Sequence, residues 1–381
     1  MSNTDYTSTS ATSQYEDEEL LPMTEGTGEI LNDTTSTGRR APWREMKQQN
    51  TVLARMYQEI NANRRINWLS WRQNPDSPEP LVTGKYIGRL LDCSTYLEFY
   101  RDENQQMRLK SGNFCHARFC PTCNWRRSLK QFHQTSEQVS WIRQQYGKVK
   151  FLFLTLTVKN VPNSTQCLEA SIKHLTDSWK RIVTPRLWNP QENKTLQKFR
   201  RSFLGSSRAL EITFHPYRRA DQENAGEFHP HLHVVLAMRP TYYLKPFYLK
   251  QQDYIQLWKE AARLDYEPNV DIRELKSSKG IAESAKYSVK LSDVIEAAAL
   301  SDGNLDEPLD LVNLLALEHL HEATKGKQSL TLSGCFRAAR HALKQQDVET
   351  DLVHITNDKV TFDPVERVLF TWKFDDMQYI C

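Results

Sequence analysis

Three histidines fall within five residues at His229-Pro230-His231-Leu232-His233, and they run directly into Val234-Val235-Leu236-Ala237. The apolar, β-prone run predicts a strand over residues 231–237. Side chains alternate along a strand. His231 and His233 therefore share a face with Val235 and Ala237, and Leu232, Val234 and Leu236 take the other. Two imidazoles one pleat apart on a rigid element form a platform for a divalent metal. A preceding strand, residues 209–214, puts Leu210, Ile212 and Phe214 on one face and Glu211 and Thr213 on the other. Consecutive strands joined by a loop pair most simply as antiparallel neighbours. Glu211 can then share the face of His231 and His233. Two imidazoles and a carboxylate would hold Mg²⁺ or Mn²⁺ with positions left open for phosphate oxygens. His229 precedes Pro230 in the entering loop, which makes it a supporting or substrate-side residue, not a ligand.

A second constellation is built from sulfur. Cys120 and Cys123 form a Cys-x-x-Cys knuckle, and Cys115 lies five residues upstream of Cys120. Cys93 is the natural fourth ligand of a tetrahedral Cys₄ zinc site, with His116 as the substitute. A closed, sulfur-rich set implies a structural zinc. Arg118, Trp125, Arg126, Arg127 and Lys130, with Phe114 and Phe119, interleave cations with aromatics, a composition suited to a nucleic-acid surface. The basic run 180–208, which contains Lys198, Arg200 and Arg201, is a candidate phosphate-contacting insertion.

A third constellation lies in Ile281–Lys290, which reads as a helix with Ile281, Ala285 and Val289 on its buried stripe. Tyr287 is about 200° around the helix from Ala285 and so lies off that stripe. Glu283 is one turn before it and Lys290 three residues after. A phenol flanked by a carboxylate and an ammonium fits an activated nucleophile.

The elements that must position these groups follow from periodicity. A helix is expected over 125–146, an amphipathic helix over 165–183 and another over 250–264. Residues 151–158 read as a strand apolar on both faces, hence central in a sheet covered by helices, with Thr155 and Thr157 on one face near its end. Residues 270–275 resemble a further strand. Helices are also expected over 43–72, 305–323 and 335–346, and one or two strands over 360–374.

Composition bounds the class. The chain has 381 residues and a net charge of +3. Residues 1–40 alone carry eight acidic and two basic side chains, so the remainder carries +9. A basic body favours a polyanionic partner. The acidic, Ser/Thr-rich first forty residues read as a disordered tail. Seven cysteines, an odd number clustered at short spacing, argue for a reducing compartment and metal ligation. No apolar run reaches membrane-span length and no secretory signal is visible, so a cytoplasmic protein without a membrane partner is expected.

Taken together, the motifs resemble those of the rolling-circle replication initiators of small bacterial plasmids, within the His-hydrophobic-His (HUH) endonucleases. The matching stretches are Phe153-Leu154-Thr155-Leu156-Thr157, His229-Pro230-His231-Leu232-His233 and Glu283-Ser284-Ala285-Lys286-Tyr287-Ser288-Val289-Lys290. The Cys115–Cys123 cluster followed by Trp125-Arg126-Arg127 resembles that group's zinc region. The resemblance spans roughly residues 90–295. It implies an α+β fold: an antiparallel, palm-like central sheet flanked by helices, with a small zinc-binding region on its N-terminal side. It also implies that Tyr287 attacks a phosphate polarised by the metal of His231, His233 and Glu211, leaving a 5′-phosphotyrosyl link and a 3′-OH primer. Lys290 would orient phosphate or metal-bound oxygens, and Glu283 would activate water for the terminating cleavage. Plasmid origin DNA, single-stranded at the nick, and a host helicase and DNA polymerase are the partners it implies.

The expected organisation is a tail at 1–40, a helical arm or linker at 41–85, a zinc region at 86–135, the endonuclease domain at 136–297 and a C-terminal region at 298–381. Two other classes fit some of these residues. A single-tyrosine HUH transposase or relaxase shares the chemistry, and a non-catalytic zinc-dependent nucleic-acid-binding protein explains the cysteines and cations alone.

Overall fold

The computed structural model describes residues 21–35, 38, 40–70, 79–188, 193–215, 226–276, 281, 294–295, 311–355 and 362–381. In chain order the elements begin with β1 (Met23–Thr24), α1 (Trp43–Ser70), α2 (Gly84–Asp92), β2 (Tyr96–Asp102), β3 (Met107–Gly112) and α3 (Pro121–Tyr146). Next come β4 (Lys150–Thr157), β5 (Val161–Pro162), α4 (Thr165–Val183), α5 (Lys194–Ser202), β6 (Phe203–His215) and β7 (Glu227–Met238). The chain continues with α6 (Gln251–Ala262), β8 (Val270–Glu274), α7 (Leu311–Thr324), β9 (Leu330–Gly334), α8 (Cys335–Ala342), β10 (Pro364–Lys373) and β11 (Gln378–Ile380).

The fold is mixed α+β, with two sheets flanked by helices. The main sheet runs β8-β4-β7-β6-β9, with β5 also beside β7. Every pairing in it is antiparallel. The apolar strand β4 lies inside this sheet, as its two-sided pattern requires. Its Leu152, Leu154 and Leu156 join Leu210 and Ile212 of β6 and Leu232, Val234 and Leu236 of β7 in one buried cluster. That back face is covered by α4, through Leu168, Ile172, Leu175 and Trp179, and by α6, through Leu257, Trp258 and Ala261. On the front face, Phe151, Phe153, Val235, Ala237 and Leu332 pack against Val139 and Ile142 of α3 and Phe336 and Ala339 of α8. This apolar cover occupies the Ala237 end of β7, leaving the other end of the front face to polar side chains.

The β6–β9 junction depends on two glycines in register, Gly205 and Gly334. A Cβ on Gly205 would meet the Ser333 carbonyl at 2.5 Å, and Gly334 has φ +53°. A side chain at either place would force the strands apart or strain the backbone.

The smaller sheet runs β1-β10-β2-β3, with β11 on β10. Leu97, Phe99, Leu109, Val368, Phe370 and Tyr379 form its core with Leu31 and Trp43. Its strands come from both ends of the sequence, and this differs from the expected organisation in three ways. Residues 21–35 are not part of a disordered tail: Leu31 is buried and Glu29 pairs with Arg101 at 2.6 Å. Residues 41–70 are not an arm, because Leu53, Met56, Tyr57 and Ile60 of α1 are buried in the main cluster. The C-terminal stretch does not stand apart either: β10 pairs with β2, and β9 with β6. Strands β2 and β3 had no counterpart in the sequence reading. Strand 209–214 proves to be the C-terminal half of a longer strand, and the basic run 180–208 is the end of α4, then α5, then the start of β6, not an insertion. The expected helix over 281–290 lies outside the described residues except at Ile281, as do residues 305–310 of the helix expected over 305–323. Among the described residues, no helix is long and apolar enough to cross a membrane.

Candidate metal centres

The register of β6 on β7 places Glu211 directly opposite His231. Both lie on the front face with His233, whose partner on β4 is Thr155. The Glu211 carboxylate (Oε2) is 2.6 Å from His233 Nε2 and 3.2 Å from His231 Nε2, and the two Nε2 atoms are 3.1 Å apart. All three side chains are buried. The other ring nitrogens are held from behind. His231 Nδ1 lies 3.1 Å from the His229 carbonyl, and His233 Nδ1 3.1 Å from Thr155 Oγ1. A backbone carbonyl on Nδ1 fixes the tautomer of His231, so its Nε2 lone pair faces inward, as metal-binding histidines require. Burial opposes ionisation of Glu211, but hydrogen bonds and charge interactions with His231 and His233 outweigh it and hold the carboxyl well below its usual range. The set can hold one metal ion.

His229 stays out of that set. Its Nδ1 contacts Asn160 Oδ1 at 2.6 Å, and its pKa falls to about 4 through burial and the neighbouring His231 and His215. Its contribution is the carbonyl that orients His231. The supporting roles of Thr155 and Asn160 were missed in the sequence. Thr155 is visible there only as a face position on β4, and nothing local marks Asn160.

The four cysteines converge from three places: Cys93 at the end of α2, Cys115 in the loop after β3, and Cys120 and Cys123 at the start of α3. The sulfur separations are 3.6 Å for Cys93–Cys123, 3.7 Å for Cys115–Cys123 and 3.4 Å for Cys93–Cys120. Thiolates tetrahedral about an ion at about 2.3 Å lie about 3.8 Å apart, so the spacing fits a shared ion. The fourth position goes to Cys93. His116 is exposed and its Nδ1 contacts the Glu349 carbonyl at 3.0 Å. Cys120 also accepts from the Cys123 amide at 3.5 Å and donates to Asn50 of α1 at 3.1 Å. The cluster therefore joins α1, α2 and α3. Tyr379 adds the small sheet, donating to the Ser94 carbonyl at 2.7 Å.

The candidate DNA-binding cations separate by burial. Arg126 donates to the carbonyls of Leu352 and Val353, both at 2.8 Å, and lies over the Trp43 ring. Arg127 donates to the carbonyls of His116 and Ala117 and pairs with Glu349. Lys130 donates to the carbonyls of Asp347 and Asp351. These three residues fasten the 347–353 loop to α3, which corrects the reading of Arg126 and Arg127 as a DNA surface: their donors already satisfy buried carbonyls. Arg200 likewise caps α4, donating to the carbonyls of Arg181, Ile182 and Trp188. Arg201 is exposed, and Lys198 and Arg118 are half-buried. Tyr287, Glu283 and Lys290 lie outside the described residues.

The family model described as "Replication protein" matches residues 106–380. The chain is 30% identical to "Protein rep" of Lactiplantibacillus plantarum over 365 residues, covering 92% of this chain and 98% of that one. It is 28% identical to "Protein rep" of Lentilactobacillus hilgardii over 361 residues, with the same coverage of both. A "Replication protein" of Staphylococcus aureus is 27% identical over 261 residues, covering 66% of this chain and 98% of the relative. No solved structure matches.

Proposed function

This chain belongs to the replication protein family, the rolling-circle replication initiators of plasmids, and on that premise we propose that it nicks and rejoins one strand of its plasmid origin through a tyrosine nucleophile on a HUH, palm-like sheet. The observation that carries the reading is the register pairing of Glu211 with His231, which converges two imidazoles and a carboxylate on one point of the front face. Glu211, His231 and His233 would hold a divalent ion, Mg²⁺ or Mn²⁺, which would supply charge neutralisation at the scissile phosphate and the leaving 3′ oxygen.

The chain's own residues supply the rest. Thr155 and the His229 carbonyl hold the two ligand rings in place. Tyr287 attacks phosphorus, the P–O3′ bond breaks, and the products are a 5′-phosphotyrosyl link and a free 3′-OH. Glu283, one turn before it, activates water for the closing hydrolysis, and Lys290 orients phosphate oxygens. Ile281, two residues before Glu283, supports this reading: it is buried with Phe153 and Val235 in the front-face cluster beside the triad. The Cys₄ group holds a structural zinc. Lys198 and Arg201, with Arg118, are the remaining candidates for phosphate contact. In the bacterial cytoplasm a host helicase would unwind the duplex and a DNA polymerase would extend the 3′-OH.

The test is incubation of the full chain with single-stranded origin oligonucleotides and Mn²⁺, followed by mass mapping of the protein–DNA adduct. An adduct on Tyr287 that disappears in Tyr287→Phe is expected; an adduct that persists in that variant overturns the nucleophile. In Glu283→Ala, nicking should continue while joined products accumulate.

A further inference from the structure

The back of the main sheet carries a second cationic site, turned away from the triad. Arg208 lies on β6 opposite Val234, so its side chain leaves the sheet on the face opposite His231 and His233. It is only 6% exposed. Its Nη2 donates to Thr331 Oγ1 at 2.7 Å, but its Nε is buried with no acceptor. Burial alone lowers its pKa, with no carboxylate among the described residues to offset it. A guanidinium held this way, without a counter-charge, is costly in a protein that uses it only for packing.

Arg208 lines a groove of about 930 Å³ between α4 and the β6–β9 edge. Lys173, Lys180, Lys327 and Arg337 stand around it together with Glu169 and Asp177, with apolar Ile172 and Leu210 between them. Lys173 and Lys180 pair with Asp177, and Lys327 with Glu169. Arg337 is exposed and donates to the Leu332 carbonyl. A cleft of about 730 Å³ shares Lys327, Gln328, Thr331 and Arg337 with this groove and continues past Arg118 and Arg340. The two spaces therefore meet around β9, the edge strand. On the front face, β9 reaches Ala209 through Leu330, and Ala209 is two residues, about 7 Å, from Glu211.

We infer that a single strand of DNA flanking the nick crosses the edge of β9 and places a phosphate on Arg208 in the groove beneath α4. This rests on the nicking function proposed above. A small anion would need one cleft. Two clefts that join around an edge strand, with cations along both and apolar side chains between them, suit linked phosphates and their bases. A guanidinium recessed beneath α4 is reached by one strand, not by the full width of a duplex.

The experiment compares full-length wild type, Arg208→Met and Arg337→Gln by fluorescence anisotropy. The probes are a minimal single-stranded oligonucleotide spanning the nick, the same oligonucleotide extended on either side, and a duplex of the extended sequence. Wild type should bind one extended strand more tightly than the minimal one. Arg208→Met should remove most of that advantage, about tenfold, and reduce the salt slope by about 0.7 per lost phosphate contact. Its melting temperature should hold or rise, because an apolar side chain of similar volume replaces an uncompensated buried charge. Arg337→Gln, at the rim, should show a smaller loss in the same direction and serves if Arg208→Met does not fold. An unchanged extension advantage in both variants overturns the inference, and equal weakening on the duplex overturns the single-strand assignment. Absence of nicking in wild type would defeat the proposed function, while the binding comparison would still decide the groove.

Discussion

The two candidate metal centres are both buried and both converge on one point, yet they are built in opposite ways. The cysteine site takes its four ligands from helix ends and a loop, and encloses its centre with sulfur on every side. The Glu211–His231–His233 site takes three ligands from two neighbouring strands, all on one face of the sheet. A tetrahedral sulfur cage leaves no position for substrate, whereas three ligands on one face leave the opposite hemisphere free. The first arrangement would tie segments together; the second would present an ion to a partner. The cysteine cluster accordingly touches α1, α2 and α3, and the triad stands at the polar end of the front face, beyond its apolar cover.

That contrast can be broken at its strongest point first. Replacing Cys120 and Cys123 together by serine should release the metal and abolish cooperative unfolding, because the binding energy of such sites is folding energy, on the order of 10 kcal/mol for zinc-binding peptides. Metal analysis and circular dichroism would read it, and a variant that stays folded without metal would remove the structural role. His233→Ala should behave in the reverse sense: nicking should fall at least a hundredfold while the melting temperature changes by only a few degrees. A collapse of the fold would make the triad structural as well.

The next effect is smaller and sharpens the role of support. Thr155→Val leaves the ligands but removes the oxygen 3.1 Å from His233 Nδ1. Divalent-metal affinity, measured by titrating Mn²⁺ into the protein, should weaken about tenfold to a hundredfold. Unchanged affinity would mean that the strand alone holds the ring. The smallest effect separates buried from exposed cations. Arg126→Ala should cost about 1–3 kcal/mol in urea unfolding through the two carbonyls it leaves unpaired, with the DNA salt slope unchanged. Arg201→Ala should do the opposite, lowering that slope by nearly one without changing stability.

How far each site could be read in advance follows the same division. Cys115, Cys120 and Cys123 lie within nine residues, so chain connectivity brings them together and spacing reveals them. The pleat alone places His231 and His233 on one side. Glu211 needed only the assumption of an antiparallel neighbour, which the register confirms. The cations were read less well. Arg126, Arg127 and Arg200 look like any other basic residues in the sequence, and only the arrival of loop 347–353 and the end of α4 shows that their donors meet carbonyls. Helix α4 matched its expected limits because one apolar stripe defined it. Of the small sheet only the strand within 360–374 was expected; the sheet itself escaped notice because its strands lie at residues 23–24, 96–112 and 364–380.

The sequence by itself determined the ligand types, the faces on which they stand and the membership of the family, since these depend on residue identity and on periods of two and 3.6 residues. Tertiary structure alone decided that Cys93 and not His116 completes the sulfur cage. It also brought residues 23–24 and 364–380 into one sheet, and among the described residues it left Arg208 with a buried, unpartnered Nε and no carboxylate in ion-pair reach. Each of these depends on contacts between segments tens to hundreds of residues apart, and local periodicity carries no record of which distant backbone will arrive.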